Sequence, residues 1–209
     1  MSFGNLFDFV IFIPAILIAI VLHEFAHGYV AFRLGDPTPK YQGRLTLNPL
    51  AHLDPLGTLL LIFAHFGWAK PVQVNPLYFR GDKRKGMIFV SLAGPLTNFI
   101  LAFLAAGFIG LMMRGIMPEN TLFLQFFQAL VQINLILAAF NLIPVPPLDG
   151  SKILAGILPR KMANYIYQME SYGPIILMLL IITGTTQVIF MPIVSILAKI
   201  ISVAMGIIY

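Results

Sequence analysis

The chain has 209 residues, 59% of them hydrophobic and only 10% charged, with a net charge of +5. A soluble domain carries nearer ~25% charged residues; together with the mean hydropathy of +0.90, this composition excludes a soluble domain and marks an integral membrane protein. Cysteine is absent, which excludes a disulfide framework and thiolate metal ligands, and the basic residues cluster beside apolar runs, which argues against a nucleic-acid partner.

The first apolar run, residues 6–32 from Leu6 to Phe32, exceeds the ~20 residues needed to cross a bilayer. With no Lys or Arg before Arg33 and no small-residue cleavage site, it reads as a retained span rather than a signal peptide. Within it lies His23-Glu24-Phe25-Ala26-His27, a HExxH motif. Positions i and i+4 share one helix face, so His23 and His27 can offer two imidazole nitrogens to one metal ion, with Glu24 in reach of a water beside it. The alternative is a helix whose histidines merely bond neighbours. Three ionisable groups inside a span are costly without partners and a task, which favours the metal. His27 precedes Arg33 by six residues, placing the group roughly 9 Å or more inside that face.

Residues 33–86 are rich in Pro and Gly and hold eight of the thirteen basic residues, so the positive-inside rule makes this loop cytoplasmic. Gly43-Arg44-Leu45-Thr46-Leu47-Asn48 alternates like a strand, and Trp68–Val74 is its expected hairpin partner, with Pro71 at an edge. Between them the apolar stretch Leu56–Phe66 is too short to cross and reads as a re-entrant or interfacial helix.

Residues 87–113 and 121–143 are the second and third spans. The second contains Ala93-Gly94-Pro95-Leu96-Thr97-Asn98, which sets an amide at membrane depth, either to bond another helix or to serve a site. The third ends in Asn141-Leu142-Ile143-Pro144-Val145-Pro146-Pro147-Leu148-Asp149-Gly150, where three prolines force the chain to unwind. Such backbone is tolerated at depth only when buried or lining a wet cavity, so Asp149 is either an inhabitant of that cavity or a cap of the following helix. Topology decides: with spans one and three both running outside to inside, His27 and Asp149 lie near the same face and can meet. Two histidines and a carboxylate leave a coordination position open, the catalytic rather than structural zinc pattern. Residues 162–183 and 187–208 complete about five crossings.

The expected fold is an all-α polytopic membrane protein with about five transmembrane helices, a re-entrant or interfacial helix and a small membrane-associated β-hairpin, forming one domain over residues 1–209 with its core at 6–160. The HExxH motif in a span, Ala93–Asn98 and Leu148-Asp149-Gly150 together resemble the site-2 protease family of intramembrane zinc metalloproteases. The resemblance implies that His23, His27 and Asp149 hold one Zn2+, that Glu24 is the general base, and that Asn98 binds the scissile peptide or its oxyanion. It also implies cleavage of transmembrane protein substrates within a prokaryotic cell membrane, near the cytoplasmic face. The sequence carries none of the PDZ or CBS modules of other relatives. His52 and His65 read as loop or interfacial residues, or as groups placed beside the metal. Two further readings are a divalent-metal transporter and a catalytically silent membrane scaffold; the first needs ligands spread along a path across the membrane, and the second a lost Glu or ligand.

Overall fold

The computed structural model describes residues 6–64, 69–118 and 120–206. Its first helix, α1 (Leu6–Arg33), runs through Pro14 without a break and ends at Arg33 and the positive-φ Gly35. A one-turn helix, α2 (Thr38–Tyr41), follows, and then α3 (Pro55–Ala64), a ten-residue apolar helix where a non-crossing one is expected.

The second span starts earlier than the hydropathy suggests. Helix α4 (Lys83–Met113) takes in the basic residues because Asp82 caps it, its carboxylate accepting the N–H groups of Arg84 and Lys85. Helix α5 (Thr121–Asn141) is capped in the same way by Asn120. The chain then unwinds over residues 142–148, as the prolines require, and re-forms as α6 (Asp149–Ile157). Helices α7 (Arg160–Met169) and α8 (Gly173–Ile182) follow, joined by a single 3-10 turn, so that Gly173-Pro174 marks a start rather than a kink. Together they form a candidate span, Arg160–Ile182, and α9 (Thr185–Ala204) is the next. The described residues thus contain five helical stretches long and apolar enough to cross a membrane, and the chain is a multi-pass membrane protein.

Helices α1, α4 and α5 pack on one another through small side chains: Ala15 and Ala19, Ala105, and Ala129 meet around Ile11, Leu130 and Ile133. Without a hydrophobic drive in lipid, such small contacts are how spans approach closely. The outer surface is correspondingly apolar, with Val10, Leu96, Phe123 and Val188 all more than half exposed. In the windows of the last two spans only 6% is buried, against 33%, 22% and 39% in the first three, so the core belongs to α1, α4 and α5.

The expected β-hairpin is absent; among the described residues there is no sheet, only an isolated antiparallel bridge between Leu53 and Ala69. Trp68, His65 and Glu119 lie outside the described residues. The segment 43–48 turns instead of extending because polar side chains claim its backbone. Thr46 Oγ1 accepts the N–H of Asn48, and Asn48 Oδ1 that of Leu50. Fully buried His52 donates Nε2–H to the carbonyl of Thr46, and Arg44 reaches the carbonyls of Ala51 and Lys70. His52 is therefore a pin of this loop. Asp36, also fully buried, ties the loop's two ends together by accepting the N–H groups of Thr38 (2.9 Å) and Asn75 (2.7 Å).

Candidate metal centre

His23 and His27 face α4 from one side of α1, and Asp149 stands at the first turn of α6, where the unwound segment delivers it. The three side chains are buried, with 7%, 7% and 8% of their residues exposed. Their ligand atoms form a small triangle: His23 Nε2 to His27 Nε2 is 3.0 Å, His27 Nε2 to Asp149 Oδ2 is 3.1 Å, and His23 Nε2 to Asp149 Oδ2 is 3.3 Å. Atoms bound at ~2.0–2.1 Å around a tetrahedral zinc stand roughly 3.3 Å apart, so the triangle has the size of one face of that tetrahedron.

The hydrogen bonds behind the rings fix what the triangle presents. His27 Nδ1 lies 2.7 Å from the carbonyl oxygen of Val90, which can only accept, so the ring proton is on Nδ1. His23 Nδ1 likewise donates to Asn98 Oδ1, at 2.6 Å. Both Nε2 atoms therefore turn lone pairs toward each other and toward Asp149 Oδ2, which has no hydrogen-bond partner. Three converging acceptors could hold a cation between them. One proton bridges a single edge of the triangle; a metal ion meets all three.

Two glycines make room. A Cβ on Gly94 would sit 2.5 Å from His27 Nε2 and 2.6 Å from His23 Nε2, so only a glycine lets α4 lie against the two rings. A side chain on Gly150 would strike the carbonyls of Leu142 and Ile143, where α6 begins against the unwound segment. Arg84 fixes the other end of α6 by donating to the carbonyls of Ala155, Gly156 and Leu158.

The remaining candidates fall into distinct places. Glu24, one residue from His23, is partly buried and accepts the N–H of Val72 through Oε2 at 2.9 Å. Asn98 is fully buried beside His23, with Asn134 of α5 behind it.

The description of peptidase family M50 matches residues 11–117 and 105–183. The chain belongs to peptidase family M50. A Bacillus subtilis relative, provisionally named zinc metalloprotease YwhC, is 42% identical over 85% of this chain and 82% of its own. Proteins provisionally named zinc metalloprotease Rip2 are 32% identical in Mycolicibacterium smegmatis, over 84% of this chain and 68% of theirs, and 30% identical in Mycobacterium tuberculosis, over 85% and 68%. No solved structure gives a significant match. The chain is thus a metalloprotease of the M50 family, the family that the three motifs resemble.

What the motifs do not reveal in this M50 chain is the support. Asn134 follows Gln128 and Gln132 in the third apolar run, and only its polarity at membrane depth hints at a task. Val90 and Val72 act through backbone atoms and leave no trace in side-chain chemistry.

Proposed function

We propose that this chain is an intramembrane zinc metalloprotease that hydrolyses peptide bonds within or beside transmembrane segments of other proteins. The observation that carries the reading is the triangle of lone pairs at His23, His27 and Asp149, closed at zinc-like spacing and walled by Gly94. Two imidazoles and a carboxylate suit zinc, and zinc held there supplies a Lewis acid that makes water ionise near neutral pH and polarises a carbonyl.

The chain's own residues do the rest. The Val72 N–H engages Oε2 of Glu24, which leaves Oε1 to take the proton of the attacking water. As the carbon–nitrogen bond breaks, Glu24 delivers that proton to the leaving nitrogen. Nδ1–H bonds to Asn98 and to Val90 hold both imidazoles in place through the cycle. The unwound segment 142–148 lets a carboxylate stand at a depth where a continuous helix would expose only its flank. Eight basic residues lie in 33–86, which supports a cytoplasmic position for the end of the bundle that holds the site. Ligands gathered at one level, rather than strung across the membrane, favour hydrolysis over transport.

The test is cleavage of a tagged model transmembrane peptide by the purified chain in detergent. E24Q keeps all three ligand atoms, so it should retain zinc while cleavage falls by ~10²–10⁴. Cleavage at the wild-type rate in E24Q would remove Glu24 from the mechanism.

A further inference from the structure

We infer that Asn134 and Asn98 form an amide relay of fixed sense that positions His23 for the metal, with Asn134 acting at two removes from it. The inference rests on the metal reading of the site. Both asparagines are fully buried in the core of the bundle, where an amide without partners is expensive. Their partners determine which way each amide points.

Asn134 takes its sense at the far end. The carbonyl of Leu130 can only accept, so the Asn134 group facing it at 2.8 Å is the NH2, and Asn134 Oδ1 points the other way. That oxygen accepts from Asn98 Nδ2 at 2.7 Å, and the second Asn98 hydrogen goes to the carbonyl of Ala19 at 3.1 Å. With both donors consumed, Asn98 Oδ1 is left facing His23 Nδ1, which must donate to it. The Nε2 lone pair then has one direction available, into the triangle. Were Asn98 free to flip, its NH2 would meet His23, and the ring would answer by moving its proton to Nε2, closing off the ligand. Asn134 Oδ1 and the Ala19 carbonyl, both acceptors, prevent the flip together, and Asn134 supplies the shorter bond. The relay crosses three helices, α5, α4 and α1, and so couples the packing of the bundle to the tautomer of one histidine. With its two donors engaged by Ala19 and Asn134, Asn98 has a positioning task.

The experiment is zinc affinity of the full chain in detergent, by competition with a chromophoric chelator, in N98A, N98D, N134A and the double variant N98D/N134A. Losing a group that orients a metal-bound histidine typically weakens affinity ~10–100-fold, and N98A and N134A should each fall in that range. N98D presents a carboxylate oxygen to His23 Nδ1 whichever way it turns, so it should bind zinc within a few-fold of wild type despite its poorer fit. In the N98D background, N134A should then cost nothing further, because an aspartate has no sense to set. A packing role for Asn134 predicts the opposite, an equal loss in both backgrounds, and that result overturns the relay. Imidazole 15N shifts of the unmutated protein give a second reading that needs no variant: they should report Nδ1–H at His23, and a proton on Nε2 contradicts the inference. If wild type binds zinc, H23A abolishes it and N98A leaves it unchanged, the relay fails while the metal site stands. If wild type binds no zinc, both fall.

Discussion

At Gly94 the absence of a side chain is the functional feature. Both Nε2 atoms lie within 2.6 Å of where its Cβ would be, so G94A pushes α4 away from α1 or turns the imidazoles out of the triangle. Overpacking of this kind costs ~1–3 kcal/mol, and about 1.4 kcal/mol is a factor of ten. G94A should therefore lose zinc and cut cleavage of a model peptide by roughly 5- to 150-fold, read by metal content and turnover on the same preparation; unchanged values would mean that the helices part without cost. The candidate ligands His23, His27 and Asp149 are legible in the sequence because their chemistry is rare at membrane depth: two histidines and Glu24 are costly there, and Asp149 follows a stretch that cannot be helical. Asn134 and Gly94 were not read as parts of a site. One is a common polar residue and the other has no side chain, so their work shows only when the neighbouring helices are in place. Asn98 was visible as a polar residue at depth, but only its neighbours show which way its amide points.

Among the elements, α6 has the strictest demand on it, since its first residue is the candidate ligand Asp149. Leu148 supplies no side-chain cap, and the helix is held instead at Ser151, whose hydroxyl donates to the Leu148 carbonyl, and at its far end by Arg84. R84M removes the donor from carbonyls that have few other partners, at ~1–3 kcal/mol per unsatisfied buried group. It should lower the thermal midpoint and reduce cleavage well below that of K83M, which changes an exposed neighbour; equal behaviour of the two variants would deny Arg84 this role. The long helices follow from hydropathy, and α3 from a run too short to cross. The strand at 43–48 fails as an expectation because apolar alternation competes there with Thr46, Asn48 and His52, whose side chains bond the backbone more locally than a second strand would. Asp82 extends α4 four residues past its apolar start for the same kind of reason, a local cap that hydropathy does not register.

Across the whole molecule, three spans build the site and two flank it, and the orientation of all five follows from the first. The sequence contains no cysteine, so single cysteines report topology without background. Tyr41 is 82% exposed in the basic loop, and Ile116 is 66% exposed between α4 and α5. A cysteine replacing Ile116 should react with a membrane-impermeant maleimide on intact cells. One replacing Tyr41 should react only after lysis, and the reverse pattern would put the site at the outer face.

The central claim is that His23, His27 and Asp149 share one zinc ion, and zinc content per purified chain tests it most directly. Wild type and E24Q should each carry about one zinc, as a single catalytic site requires, and D149A, still helical by circular dichroism, should carry far less. If D149A kept its zinc, or wild type had none, the triangle would not be the metal site.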